Sequence, residues 1–539
     1  MWRAPTEEQL SRGVPVWVLE IDWSGQIFRF ADRPITLQGE DGTEIHFAGE
    51  LAETDLEESV NTFRTSVSSL SVPMELTFPV DVQHRIMGGR PLSAARGELS
   101  MVLADPWTGA PLQRYEQRFR VLRGRIEQPE RAHPDEDPGW VNCSLEARPL
   151  EDRSLIIPSS ARMTQRNFPN SDDEARGKPM PIAFGVGAGF DGVIFRATPA
   201  YRIGDRVYLI SLGRVAATEV TIWDEDNSTV EVPVEHDTDR YGNLYAFVTI
   251  PLATISFGQE LWVSWYTSSA GVQGGVLRID GDGPVSGAGD LLLWLFARSR
   301  LEVNIQAWVS VRQLLNRYKF AGWIGDADTS PWEWAKKEIL PLLPVAVVNR
   351  FDGVEPIVFD VGETGTRIRA EVTEGPEFYP LSALRALRSS DQIVNAVSID
   401  YMHDAFHGGH RETSRTGSSF VPQTLIDDGQ VPTQYAIESQ RRWGEVRERT
   451  LSSDYLYDDA TAALIADEYI QRWGDQVDGA TFSAAPRYGW LQIGDRIRFT
   501  SERLGFVEVP AVITGRTWLS GEWRFGIQFE RDVVRDPKP

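Results

Sequence analysis

A single cysteine, Cys143, stands among the 539 residues, so no internal disulfide can form. It lies in the alternating run Trp140-Val-Asn-Cys-Ser-Leu145, the pattern of a half-buried strand, and no histidine-bearing motif accompanies it. That places it as a packing residue and not as a nucleophile. No apolar run approaches the roughly 20 residues of a membrane span. The start, Met1-Trp-Arg-Ala-Pro-Thr-Glu-Glu8, has no signal-peptide apolar core, so synthesis and folding in a cytoplasm are expected. Positive charge is also scarce: 54 Lys and Arg stand against 78 Asp and Glu, a net charge of −24. Phosphate backbones are held by clustered cations, so the balance argues against a nucleic-acid reader. The acidic excess either keeps a large assembly soluble or lines a surface past which DNA must slide. Motifs of fixed chemistry are missing too: there is no Gly-x-Ser-x-Gly elbow, no Walker loop and no His-Glu-x-x-His.

What the chain has is turns and aromatic residues. Its 46 Gly and 32 Pro are spread between short β-like runs, and with 41% hydrophobic and 24% charged residues the composition is that of an ordered globular protein. The length implies roughly three to five domains. Eighteen Trp are many for this size, and they point either to large intersubunit contacts or to carbohydrate stacking.

Residues 1–158 are expected to form an N-terminal β-barrel or sandwich. Val14, Val16 and Val18 alternate, and further strands fall at Ile27 to Phe30, Glu44 to Phe47, Met74 to Phe78, Leu99 to Ala104, Gln117 to Ile126 and Trp140 to Leu145. Pro106 to Pro111 reads as a loop, and Gly124 inside its strand suits a bulge. Residues 159–275 comprise a Pro, Gly and Asp-rich connector and a second small β unit, with strands near 206–212, 218–223, 229–234, 245–250 and 261–266. Residues 276–375 read as an α/β unit. Asp290 is placed to cap an apolar helix from Leu291 to Ser299, a second helix runs from Val309 to Tyr318, and Ser330-Pro331-Trp332-Glu333 opens a third. Residues 376–539 end the chain as a helix-and-barrel unit. Asp458 and Asp459 offer N-cap oxygens to a helix whose Ala462, Ile465, Ala466, Tyr469 and Trp473 share one face, and a β meander follows. The predicted class is mainly β and multidomain, with several small barrel or sandwich units and one α/β unit.

Several residue groups invite a chemical reading. His403, His407 and His410 fall within eight residues with Asp404 among them, but the glycines and the strand ending at Tyr401 describe an extended hairpin loop in place of a zinc-binding helix face. Asp280-Gly-Asp282-Gly, with Asp290, lacks the glutamate a calcium loop needs; Leu291 stands there. Gly187, Gly189 and Gly192 match a dinucleotide glycine pattern, yet Val193-Ile-Phe-Arg leads into a strand and not a helix. Ile203-Gly-Asp-Arg-Val207 nearly repeats Ile493-Gly-Asp-Arg-Ile497, which a shared turn or a duplication explains. Acid pairs for glycoside hydrolysis exist in abundance, and no spacing singles one out. No catalytic, cofactor-binding or metal-binding residue is therefore assigned.

Four stretches resemble the central hub proteins of phage tail tips and baseplates, including those of gene-transfer-agent particles. They are Gln117-Arg-Phe-Arg-Val-Leu-Arg-Gly-Arg-Ile126, Gly177-Lys-Pro-Met-Pro-Ile-Ala-Phe-Gly185, Asn395-Ala-Val-Ser-Ile-Asp-Tyr401, and the helix-and-barrel ending from Asp458 to Phe529. The resemblance implies a homotrimeric ring in the virion, assembled in the host cytoplasm. Such a ring closes the tail tube, adjoins a distal tail or tail-tube protein, carries fibre, spike or receptor-binding proteins in host attachment, and passes DNA during genome ejection. It implies no enzyme activity and no cofactor. Under it, the first barrel is expected to face a channel lined more by Asp and Glu than by Lys and Arg, with Arg118, Arg120, Arg123 and Arg125 used in intersubunit pairs. The competing class is a carbohydrate-active virion protein, which binds glycans or hydrolyses cell wall through exposed Trp and an acid pair.

The histidine loop is expected to be dispensable for folding and to hold no metal. Elemental analysis of the purified protein should find no stoichiometric zinc, and a His403→Ala, His407→Ala double variant should melt within about 1 kcal/mol of the parent. One equivalent of zinc that disappears in that variant would contradict this.

Overall fold

The computed structural model describes residues 6–52, 56–61, 66–67, 71–78, 92–93, 95–131, 140–147, 161–185, 189–190, 193–194, 198–224, 228–251, 260–298, 301–325, 331–359, 368–375, 378–380, 385–386, 392–403, 409–416, 431–475, 478–519 and 521–530. It is mostly β, as the alternating runs predict. The chain divides into two units, each discontinuous: Met1–Pro149, Ala346–Arg388 and Val477–Pro539 form the first, Leu150–Val345 and Ser389–Gln476 the second.

The first unit begins with the strand Val14–Trp23, whose two faces are both used. Trp17, Leu19, Ile21 and Trp23 enter the main core, while Val16 and Val18 enter a smaller one with Ile35, Leu37 and Phe47. Around it an antiparallel sheet runs in the order Gln26–Ala31, Val14–Trp23, Arg96–Ala104, Phe119–Arg131, Trp140–Glu146, Ser71–Thr77. Both outer strands are bridged by one short segment. Ala31 N donates to Ala48 O (2.6 Å) and Leu51 N to Ala31 O (3.0 Å), while Thr77 N donates to Glu50 O and Ala52 N to Glu75 O, both at 3.0 Å. Those bonds occupy edge groups that would otherwise template another strand. Gly124 is not the bulge: register shifts between Leu99 and Ser100, opposite Val121. A Cβ at Gly124 would instead collide with the Glu146 carbonyl, so the glycine is needed for a close backbone approach.

The chain's last strands complete this unit. Phe506–Leu519 is long enough to change partners along its length: its first half pairs with Arg496–Ser501, its second with Glu522–Phe529, and Gly515 to Trp518 also pair with Leu56 to Ser59. Asp478–Ala484 continues the sheet. Its two outermost strands, Ala370–Thr373 and Phe378–Pro380, are consecutive in the chain, and Gly375 N donates to Phe378 O (2.8 Å) between them. The hairpin Val345–Arg350 with Gly353–Val358, unforeseen from the sequence, packs Ala346, Val348 and Ile357 against Ile493 and Val512.

N-terminal and C-terminal strands share one apolar core. Trp17 lies edge-on to Trp518 and Trp523 at centroid distances of 5.6 and 6.1 Å, and Trp518 contacts Trp523 at 5.1 Å. Such pairs add about 0.5–1.5 kcal/mol each beyond their area burial. Inside the same unit a buried ion pair forms: Arg516 Nε donates to Glu58 Oε2 (2.6 Å), with the Arg516 and Glu58 side chains only 2% and 5% exposed. The remaining guanidinium N–H groups reach Val121 O (3.2 Å) and Leu491 O (3.5 Å).

The second unit holds a closed barrel of six strands: Thr198–Arg202, Val207–Leu212, Leu244–Thr249, Thr229–Thr238, Glu219–Trp223 and Leu261–Ser264, which returns to the first. Five of the six were legible as alternating runs. The apolar helix is Ala288–Ala297, so Asp290 does not cap it; Gly287 does, where a Cβ would strike Asn316. The next helix, Ile305–Leu315, starts four residues before the expected Val309 because Asn304 caps it, accepting from Ala307 N (3.1 Å). Helix Pro331–Glu338 follows, with Ser330 outside the described residues. The final helix, Asp459–Trp473, is capped by Asp458, which accepts from Thr461 N (2.7 Å). It packs on the hairpin Ala396–His403/His410–Thr416 and on helix Val431–Trp443, and the meander after it belongs to the first unit.

Arg516→Ala should destabilise the protein by about 3–5 kcal/mol in urea unfolding, because it strands the Glu58 carboxylate away from water. A Glu58→Leu, Arg516→Met double variant should recover most of that loss. Equal losses in single and double variants would show that the pair's charge compensation is not what matters.

Candidate functional site

Titratable clusters come first, since chemistry would need them. Among the described residues no three His, Cys, Asp or Glu side chains converge as a metal site. His403 and His410 face each other across the hairpin, ring centroids 5.4 Å apart, and His410 Nε2 lies 3.2 Å from Asp454 Oδ1. His407 and Asp404 lie outside the described residues. The hairpin itself is as the glycines predict.

The acid loop is neutralised from within. Arg312 contacts the Asp290 carboxylate and donates to Asp280 Oδ2 (2.7 Å), and Arg278 lies 3.4 Å from Asp280. Asp290 also accepts from Asn316 Nδ2 (3.0 Å). These carboxylates anchor a loop to two helices, and the arginine that joins them was not foreseen. Cys143 is buried opposite Met74, and burial pushes its thiol up to about 12, away from nucleophilic use. Gly189–Phe190 pairs with Val193–Ile194 as a hairpin. The two Ile-Gly-Asp-Arg turns differ in backbone: Arg206 carries the positive φ (61°) in one and Gly494 (81°) in the other. Their likeness is therefore in sequence and not in conformation.

Three of the four arginines expected between subunits, Arg118, Arg120 and Arg123, have carboxylate partners in this chain. Arg118 lies over the Tyr115 ring at 3.8 Å and within 3.6 Å of Glu20 and Glu98 carboxylates. Arg123 pairs with Glu98 (3.1 Å) and Arg120 with Asp352 (3.2 Å). Glu98 lies on the adjacent strand, Glu20 on the next one and Asp352 in the turn after Arg350, distant partners that periodicity alone could not reveal. Tryptophans also serve the interior: Trp17, Trp23, Trp265, Trp294, Trp308, Trp332, Trp334, Trp518 and Trp523 are buried.

Among the described tryptophans Trp490 is exposed, and Trp107 is the most exposed, at 89%. It rides a tight loop in which Asp105 Oδ1 accepts from Trp107 N (3.0 Å), Thr108 N (2.8 Å) and Thr108 Oγ1 (2.9 Å). The Thr108 bonds hold the Asp105 carboxyl below its ordinary range. Tyr241, 48% exposed, rides a similar turn in the second unit, where Asp239 accepts from Tyr241 N (2.8 Å) and Asn243 N (2.9 Å). Each turn has an Asp at its start and a glycine of positive φ, Gly109 or Gly242, after the aromatic residue. That Asp-x-aromatic spacing is a signal in the sequence, within the loop expected at Pro106 to Pro111. Rigid exposed aromatic residues suit contact with another surface.

No family model and no curated protein match the sequence. Solved structures do. The chain is similar to the 43 kDa tail protein of prophage MuSo2 from Shewanella oneidensis, at 11% identity over 96% of this chain and 98% of that one, with a TM-score of 0.33. It is also similar to prophage tail protein gp18 from Listeria monocytogenes EGD-e, at 10% identity over 61% and 92% of the two chains and a TM-score of 0.24. A chain of the virion of a native gene transfer agent particle matches at 11% identity over 47% and 79%, with a TM-score of 0.18.

Proposed function

We propose that this chain is the structural hub of a phage-like tail tip or baseplate. Its copies form a ring, a trimer by the resemblance of the four sequence stretches, that closes the tail tube and leaves a conduit for DNA. A distal tail or tail-tube protein adjoins the ring on one side, and fibre, spike or receptor-binding proteins on the other. The role is mechanical, and no chemical step is assigned to the chain.

The observation that carries the reading is the first unit, a β body built from both ends of the chain with its sheet edges bridged. Strand addition at those bridged positions is blocked, so its contacts with neighbours fall to side chains. The closed six-stranded barrel of the second unit is another body without open strand edges. Arg118, Arg120 and Arg123 are held by carboxylates of this chain, so they do not form the cation cluster that would retain a passing duplex. The carbohydrate-active alternative needs grouped exposed aromatic residues, and the buried tryptophans give it no support.

Negative-stain imaging with native mass spectrometry tests the proposal. Rings at three times the 60.5 kDa chain mass are expected, alone or on addition of the adjoining tail protein. Monomers under both conditions would overturn it.

A further inference from the structure

We infer that Arg96 and Arg125 form a docking point for a carboxylate on an acidic segment of a different protein. The inference stands on the first unit alone and does not require the ring.

The two residues are direct partners across the strands Arg96–Ala104 and Phe119–Arg131. Opposed residues of an antiparallel pair leave the same face of the sheet with Cβ atoms about 4.5–5.5 Å apart, and like charges so placed destabilise it. Other arginines of this sheet avoid that cost: Arg29 pairs with Glu20 (2.8 Å), Arg123 with Glu98 (3.1 Å), and Arg118 lies within 3.6 Å of both carboxylates. Arg96 and Arg125 depart from this pattern. Among the described residues neither is joined to a carboxylate or to any hydrogen-bond acceptor. Arg96 is exposed and Arg125 partly so.

Their cross-strand row runs Ile27, Asp22, Arg96, Arg125, Glu146. The carboxylates beside them are engaged elsewhere. Asp22 Oδ1 accepts from Gly25 N (3.2 Å) in the turn that ends its strand, and Glu146 Oε1 accepts from Ser144 Oγ (3.0 Å) and Ser71 Oγ (3.4 Å). Each keeps a second oxygen, so the stability of the free protein is part of the test below.

Two guanidinium groups side by side offer planar N–H forks that match the oxygens of one carboxylate. The surroundings choose among anions. A duplex carries one charge per roughly 1.7 Å and is held by an extended track of cations. Here Asp22 and Glu146 flank the arginines and Glu98 stands in the next row, so a polyphosphate would meet carboxylates on every side. A single acidic side chain would not. Ile27, 53% exposed at the end of the row, adds an apolar contact that a protein segment can cover and a phosphate cannot. A second copy is the poorer occupant, because two chains of −24 repel. Such a contact fixes place and orientation more than strength.

The experiment uses the full chain at low salt, with a fluorescein-labelled hexaglutamate peptide as probe. Anisotropy should show binding to wild type, and the Arg96→Gln, Arg125→Gln double variant should bind about tenfold more weakly or worse. The same variant should unfold at an unchanged or higher urea concentration, because it removes a like-charge pair. Undiminished binding in the variant, or none in wild type, would overturn the docking point. A lower urea midpoint would show that the arginines serve Asp22 or Glu146 within this chain, and would overturn it as well. Duplex DNA bound as tightly as the peptide, and lost equally in the variant, would assign the pair to phosphate. Wild-type oligomers that dissociate in the variant would assign it to a second copy. Either of these last results overturns the occupant named here.

Discussion

The Arg516–Glu58 pair is the interaction on which the first unit's assembly turns. A hydrophobic core gathers apolar side chains but does not fix which strand meets which, because burial is non-directional. Here a guanidinium inside that core must find the Glu58 carboxylate and the carbonyls of Val121 and Leu491 at once. An uncompensated charge at that depth costs several kcal/mol, so only one alignment of the three segments is tolerable. Registry of Gly515 to Trp518 against Leu56 to Ser59 follows, and Trp518 is thereby set against Trp17. Between those partners the chain leaves the unit and returns twice. Whatever the intervening segments do, the ends are locked by a polar contact that tolerates no slip.

Edge management sets how such a body can associate. Residues 48–52 bond both to Ala31 and to Glu75 and Thr77, and Gly375 N donates to Phe378 O beside the outermost strands of the C-terminal sheet. Backbone groups used in this way are unavailable for strand addition. Exposed side chains on turns are held instead by local hydrogen bonds. Asp105 and Asp239 provide them, each accepting from backbone N–H groups beside an exposed aromatic residue.

Periodicity made most strands readable, and an N-cap made the last helix readable: Val14 to Val18, the barrel runs from 206 to 266 and Asp458 all sit where local pattern puts them. Long-range partners were not readable. Asp290 looked like a cap because it precedes an apolar run, whereas Asn316 and Arg312, distant in sequence, draw it into the first turn and let Gly287 open the helix. Gly124 looked like a bulge, and only the approach of Glu146 explains it. Arg118 and Arg123 looked free for other subunits because strand alternation shows which face a residue takes and not which carboxylate waits there. Trp107 was visible as a residue but not as a site, since its exposure depends on a loop closed by Asp105.

These features bear jointly on how an acidic chain can assemble at all. At −24, long-range repulsion between copies works against association, and salt screens it beyond about 10 Å. A ring of the kind proposed would therefore need short-range contacts strong enough to act inside that distance. Flexible charged side chains serve poorly, because they lose rotamer entropy and their pairs are worth about 0–1 kcal/mol at a surface. Aromatic residues on prestiffened turns lose little and bury much, so the physical demand of the charge and the form of the loops coincide. Arg118 and Arg123 instead meet Glu98 on the adjacent strand of the same chain, so their charge is spent in holding that sheet together.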